Sequence, residues 1–273
     1  MNPKLQTRVQ RYGWDKAASF YNDGWRDSLE PARICLLNMA DAQLGEHVLD
    51  VACGTGLVTL PLADAVGPGG RVIATDLSER MVDFLQQEAD VLGYKNIRAF
   101  RSDAERLTGI RDETFDLVSC ALGLMYCPNP TAAIAEAYRV LKPGGRAVFA
   151  VWGARKNCGW ADIFPIVDAH VNSDVCPLFF RLGTGESLPH EMSLGGFQAV
   201  DMERLQTRLS YKDDQKALEA AFLGGPVAMA YARFDQETKK AVDAAYLASI
   251  EPYASRPGYE IPGEFVVCSG KKP

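Results

Sequence analysis

The run Val48-Leu49-Asp50-Val51-Ala52-Cys53-Gly54-Thr55-Gly56 constrains this chain more than any other segment. It reads as a buried strand entering a glycine turn, and the helix-forming stretch LVTLPLADAV follows at once. Strand, glycine turn and helix start make the corner on which α/β proteins seat nucleotides. Gly54 and Gly56 have no Cβ, so a ligand can approach the backbone and positive φ costs little.

Asp50 decides which nucleotide suits the corner. A dinucleotide corner reads G-x-G-x-x-G and holds a pyrophosphate. Here the register is Gly54-Thr55-Gly56-Leu57-Val58-Thr59, without the third glycine. A carboxylate beside the turn repels a pyrophosphate and attracts a cation. The pattern favours a positively charged nucleoside ligand without phosphate. Gly67-Pro68-Gly69-Gly70 is a turn, and Arg71–Asp76 reads as a second strand ending in an acid. An acid about 20 residues beyond a glycine turn can accept from both ribose hydroxyls, which gives Asp76 its expected role.

With these residues in place the chain resembles the class I S-adenosylmethionine-dependent methyltransferases, in particular the small-molecule branch that includes the ubiquinone and menaquinone C-methyltransferases. The resemblance covers roughly residues 45–152. It rests on VLDVACGTG, with Ala52 where the family often has glycine, and on VIATDLSERMVD. Ser102–Glu105, Phe115–Ala121 and Arg139–Gly145 continue it in the family's order. It implies S-adenosyl-L-methionine as cofactor and S-adenosyl-L-homocysteine as product. It also implies a Rossmann-like α/β fold, mostly parallel, with an antiparallel last strand, a helical N-terminal cap and a helical lid. Expected cofactor contacts are Tyr21, Asp50, Ala52, Gly54, Gly56, Asp76, Leu77, Asp103, Ala104, Ala121 and Leu122. Asp50 would lie near the methionine ammonium, Leu77 on adenine, Asp103 and Ala104 at the adenine amine, and Ala121 and Leu122 at the methionine end. Tyr21 follows from the run W-D-x-A-A-x-x-Y, which is similar to the family's N-terminal cap.

The rest of the chain divides around that core. Residues 1–43 read as a helical, aromatic cap, and 44–152 as alternating strands and helices of the cofactor-binding core. Residues 153–260 read as a late strand, Phe197–Lys212, with helical lid insertions, including one long helical stretch over Asp213–Ile250. Residues 261–273 carry the final strand. Ser78 is an expected N-cap, and a helix is expected over Pro130–Leu141 before a strand at Arg146–Trp152.

Composition narrows the partners. A net charge of −6 over 273 residues disfavours nucleic acid. No apolar run spans a bilayer, and the first residues lack a signal-peptide core. Seven cysteines without a C-x-x-C pair indicate neither a disulfide framework nor a zinc site, so a reducing cytoplasm is expected. No Mg²⁺-type acidic cluster stands out. The segment Leu122–Pro128 is neither the N/D-P-P-Y/F type of amine methylation nor a Pro-Cys nucleophile. With the helical lid it points to a small, mostly apolar acceptor, and the resemblance to quinone-methylating enzymes implies carbon or oxygen as the methylated atom. His170, His190 and Tyr126 are the candidate catalytic groups. Two other readings stay open: a non-catalytic S-adenosylmethionine-binding protein, and a nicotinamide-dependent oxidoreductase on a similar fold.

Overall fold

The computed structural model describes residues 3–172 and 175–273, so two residues of the predicted cap and two of the predicted lid fall outside it. Seven strands form one sheet: β1 (His47–Val51), β2 (Arg71–Asp76), β3 (Ile97–Arg101), β4 (Phe115–Ala121), β5 (Leu141–Trp152), β6 (Gln198–Tyr211) and β7 (Tyr259–Lys271). Their order is β3-β2-β1-β4-β5-β7-β6. The first five are parallel, and β7 runs antiparallel to both β5 and β6.

Alternation along the strands explains the two cores. Leu49, Val51, Val118, Cys120, Phe149 and Val151 join the larger cluster. Their neighbours Val48, Leu117, Val148 and Ala150 join a second. Successive side chains point to opposite faces, so strands apolar at every position must be covered on both. The covering helices are α1 (Pro3–Trp25), α2 (Glu30–Ala40), α3 (Thr59–Val66), α4 (Glu79–Leu92), α5 (Pro130–Val140), α6 (Ile163–Asp168) and α7 (Ser187–Leu194). Short α8 (Asp214–Leu218) and α9 (Ala228–Tyr231) and longer α10 (Gln236–Ile250) follow β6. Ser78 caps α4 by accepting from the Met81 N–H at 3.2 Å. Among the described residues no helix is long and apolar enough to cross a membrane.

Three boundaries differ from the sequence reading. The helical stretch expected over Asp213–Ile250 is present in pieces: α8, a π-turn at Glu219–Leu223, α9 and α10. Gly224-Gly225-Pro226 interrupts it. A Cβ on Gly224 would sit 3.1 Å from the Phe20 carbonyl, so glycine lets the segment approach α1. β5 starts at Leu141, with the Lys142–Gly145 turn inside it and a register shift against β4. β7 is longer than Pro262–Gly270.

The chain leaves β1 toward β2 and β3, then returns to β4 on the other side of β1. That reversal opens a crevice beyond the carboxyl ends of β1 and β4, where ligands of open α/β sheets bind.

Candidate functional site

The turn after β1 is held from below by two buried carboxylates. Asp50 accepts from the Thr59 hydroxyl at 2.6 Å and the Ser119 hydroxyl at 2.8 Å. Asp76 accepts from the backbone N–H of Gly54 at 2.9 Å and of Ser78 at 2.8 Å. Burial pushes the Asp50 carboxyl up to about 6, the two hydroxyls oppose this, and the Asp76 charge adds to it. Burial likewise pushes Asp76 up to about 6, against the Ser78 and Gly54 N–H groups and with help from Asp15. Asp50 takes one bond on each oxygen and Asp76 is held by the Ser78, Gly54 and Leu77 N–H groups, so of the roughly four lone-pair positions of each carboxylate some remain for a ligand.

The two turn glycines differ in purpose. A Cβ on Gly56 (φ +95°) would overlap Leu85 Cδ1, so Gly56 serves packing of the turn on α4. At Gly54 (φ +54°) the nearest atom to a Cβ is Tyr21 Cε1 at 3.9 Å, which leaves room for a ligand. Ala52 and Leu122 hold φ of +55° and +59° at the ends of neighbouring strands, a conformation costly for residues with a Cβ. Between them Gly123 comes so close to Ala52 that a Cβ would clash with Ala52 Cβ.

A cavity with about 1010 Å³ of empty space, mouth included, opens above this turn. That is the size of a small-molecule site, roughly 300–1,000 Å³. Its polar side carries Asp76, Leu77, Ser102, Asp103, Ala104 and Glu105, and its floor Ala52, Gly54, Ala121 and Leu122. Asp103 accepts from the Glu105 N–H at 3.0 Å, and Glu105 from the Asn129 N–H at 2.6 Å, which ties this loop to the start of α5. The other side is aromatic. Tyr126 stands there with its ring edge-on to Trp14 at 5.0 Å and to Phe179 at 5.4 Å. Burial holds its phenol well above the ordinary value, and no partner for the hydroxyl occurs among the described residues. A smaller lobe shares Tyr21, Gly54, Ala121 and Leu122 with the main cavity and adds Asp50, Thr55 and Arg33.

Helix α1 lies across the turn as a roof. The Thr55 hydroxyl donates to Asn22 Oδ1 at 2.6 Å, and Asp15 accepts from the Ser78 hydroxyl at 2.6 Å. Tyr21, on the same helix, reaches both lobes. Burial, with Asp76 nearby, raises its phenol pKa, while Arg33 lowers it.

Of the predicted cofactor contacts, the structure brings Tyr21, Ala52, Gly54, Asp76, Leu77, Asp103, Ala104, Ala121 and Leu122 to the main cavity, and Asp50 to its smaller lobe. Gly56 lines neither. Tyr126 lines the main cavity; His170 and His190 do not. Ile163, Phe164 and Val167 of α6 and Leu188 and Met192 of α7 turn inward, which leaves both histidines exposed. His170 rests against Phe234 at 5.8 Å.

Sequence reasoning missed Arg33, Trp152, Trp160 and Phe179. Arg33 donates from Nη1 to the Leu57 carbonyl at 3.3 Å, while its buried Nε has no partner among the described residues. Its one signal was a cation three residues before the fully buried Leu36, on the side of α2 that packs inward. The aromatics beyond β5 carried no motif.

Residues 48–145 match the methyltransferase domain family. The chain is 37% identical over 112 residues to a demethylmenaquinone methyltransferase of Bacillus cereus, across 41% of this chain and 47% of that protein. It is 36% identical over 146 residues to the Bacillus cytotoxicus protein of the same description, across 54% and 60%. The chain thus spans about half the length of the curated relatives it matches. Among solved structures, YcgJ of Bacillus subtilis superposes with TM-score 0.64 at 16% identity, over 89% of this chain and 98% of that one. The [4+2]-cyclase SpnF superposes with TM-score 0.61 at 23% identity, over 92% and 83%. At these identities the likeness concerns the fold alone.

Proposed function

From a chain that carries a class I S-adenosylmethionine-dependent methyltransferase domain, we propose that the protein transfers a methyl group from S-adenosylmethionine to carbon or oxygen of a small, mostly apolar molecule. One observation carries this reading: a single cavity joins an acid-and-glycine turn to an aromatic chamber.

The residues present fit the cofactor. Gly54 leaves its ligand side open, and Asp76 keeps lone pairs for the ribose hydroxyls. Leu77, Asp103 and Ala104 line the side of the cavity that would take adenine, and Ala121 and Leu122 the floor that would take the methionine end. The smaller lobe offers one carboxylate and one guanidinium, Asp50 and Arg33, which suits the ammonium and carboxylate of an amino acid. A pyrophosphate would instead face two carboxylates. Where the dinucleotide pattern needs its third glycine stands Thr59, whose hydroxyl is committed to Asp50.

When bound, the sulfonium would supply a methyl carbon to the acceptor's electron pair, with the carbon–sulfur pair returning to sulfur and the proton displaced from the acceptor passing to bulk water through the cavity mouth. This chain's residues position and shield. The roof helix and the aromatic wall exclude water, and alignment of this kind can supply several kcal/mol of the barrier, up to about 7–11. Tyr126, kept protonated by burial, donates a hydrogen bond that orients the acceptor. Cys127, also held as a thiol by burial, takes no proton from it.

Calorimetric titration with S-adenosylhomocysteine, with NADH in parallel, tests the reading. Micromolar affinity for S-adenosylhomocysteine alone supports it. NADH binding in its place overturns it.

A further inference from the structure

Away from the cavity, three arginines gather around a groove that no carboxylate lines. Arg71, Arg98 and Arg111, with His47, border about 1330 Å³ of open space, mouth included, and Ile73 and Phe100 form its floor. The register explains the gathering. His47 pairs with Arg71 at the starts of β1 and β2, and Ile73 pairs with Arg98 on β3. Paired residues of neighbouring strands share a face, so His47, Arg71, Ile73, Arg98 and Phe100 stand on one side of the sheet. All three arginines are exposed, and none has an ion pair or side-chain hydrogen bond among the described residues. Arg98 lies only over the Phe100 ring, at 5.9 Å. The acids beside the groove are engaged elsewhere: Asp112 with Arg139, Asp116 with Lys142 and Glu113 with Lys272. In a chain of net charge −6, three uncompensated guanidiniums in one groove call for an anionic partner.

The groove exists because one crossover lacks its helix. β1 joins β2 through α3, β2 joins β3 through α4, and β4 joins β5 through α5, whereas residues 102–114 join β3 to β4 without one. The face of β2 and β3 that such a helix would cover stays open. From β1 to β3 is about 10 Å, the width of one helix.

The chain itself carries a helix end of matching chemistry. α4 finishes at the amino-terminal end of the strands, just before β3. Its last turns expose Glu88, Asp90, Val91 and Leu92, with Val91 83% and Leu92 57% exposed. No basic residue stands in its last turn, and a helix carboxyl end adds about half a negative charge. Leu85 of α4 packs with Ala74, the neighbour of Ile73 on β2, so α4 covers the face opposite the groove. Groove and helix end therefore lie at one end of the sheet on opposite faces, positions that a two-fold axis in the plane of the sheet exchanges.

We propose that the groove binds the carboxyl end of α4 from a second copy of this chain, reciprocally, in a two-fold dimer. Val91 and Leu92 of each copy cover Ile73 and Phe100 of the other, while Glu88 and Asp90 meet Arg71, Arg98 and Arg111. A small free anion would neutralise the arginines and leave Val91 and Leu92 in water; a second copy answers both. The contact is isologous, so it closes at two copies. The cofactor cavity opens beyond the opposite, carboxyl ends of the strands and stays accessible in both.

Sedimentation velocity on the full chain tests this. The wild type should sediment as a dimer. Arg71→Glu/Arg98→Glu makes the groove acidic, and Glu88→Arg/Asp90→Arg makes the helix end basic. Each pair should raise the dissociation constant about a hundredfold, tenfold per reversed charge. An equimolar mixture of the two variants should re-form the dimer, because at both contacts an acidic surface then meets a basic one. A merely destabilising substitution gives no such recovery. The four side chains are exposed; if a double variant does not fold, Arg98→Glu or Glu88→Arg alone takes its place in the mixture. A monomeric wild type overturns the proposal and leaves the groove to a free anion or another protein. A dimer that survives either pair of substitutions, or variants that stay apart when mixed, overturns it as well.

Discussion

Affinity for S-adenosylhomocysteine should collapse on mild acidification. Burial places the Asp50 and Asp76 carboxyls near 6, against an ordinary 3.8. On the proposed reading, a ligand ammonium near Asp50 and ribose hydroxyls on Asp76 would favour the ionised forms, so binding would drive both pKa values down. At pH 7.5 both groups are almost fully ionised and binding requires no proton loss. At pH 5, one unit below the free-state value, each must shed a proton first, which weakens binding about tenfold per group, or ~1.4 kcal/mol. Two groups give about a hundredfold loss between pH 7.5 and 5. Calorimetry at pH 6 in two buffers of different ionisation enthalpy should show about one proton released per ligand, half from each carboxyl. Asp76→Asn removes one of the two tenfold steps. The free protein should respond with the opposite sign. A folded-state pKa raised above the unfolded one contributes stability that is complete below about 3.8 and is lost as pH rises through about 6. These two groups therefore stabilise the unliganded fold on going from pH 7.5 toward 5. A flat affinity between pH 7.5 and 5, or proton uptake on binding, refutes the reasoning.

Three further outcomes are expected. Arg33→Gln should weaken S-adenosylhomocysteine by about tenfold, the low end for a charge-assisted bond at a half-buried site. It should leave 5′-methylthioadenosine, which lacks the amino acid, unaffected; equal losses for both ligands would remove Arg33 from carboxylate recognition. Ala52→Gly relieves a left-handed alanine, worth ~1–2 kcal/mol, against ~0.5–1 for glycine's added chain entropy, so thermal denaturation without ligand should shift up by about 1–3 °C. A lowered midpoint would contradict the strain. Tyr126→Phe should slow turnover with an acceptor severalfold and leave cofactor affinity unchanged, and unaltered turnover would remove its hydroxyl from the mechanism.

The cofactor half was legible because its signals are local. A mostly apolar strand interrupted by Asp50, a turn that needs positive φ at Gly54, and an acid ending the next strand are all written within thirty residues. The acceptor half was not. Trp152, Trp160 and Phe179 meet Trp14 and Trp25 only through the sheet and the folding-back of the segment after β5, and no short-range pattern encodes that meeting. The histidines were chosen for their chemistry, whereas the apolar faces of α6 and α7 decided their direction. The helical stretch over Asp213–Ile250 is divided at Gly224-Gly225-Pro226, where the chain comes close to α1, a break that helix propensity alone does not place.

The sheet order also sets a timetable for folding. β7 lies between β5 and β6, although the chain makes β6 some fifty residues earlier. Until β7 has emerged from the ribosome, β6 has no strand to pair with and one edge of β5 stays open. Val148, Phe149, Ala150 and Val151, all fully buried or nearly so in the finished sheet, line that open edge. Unpaired apolar edges are templates for the wrong strand of another molecule. The nascent protein is therefore most exposed to aggregation in the interval between the two strands, and substitutions that delay β7 should lower the yield of soluble protein more than they lower the stability of what does fold.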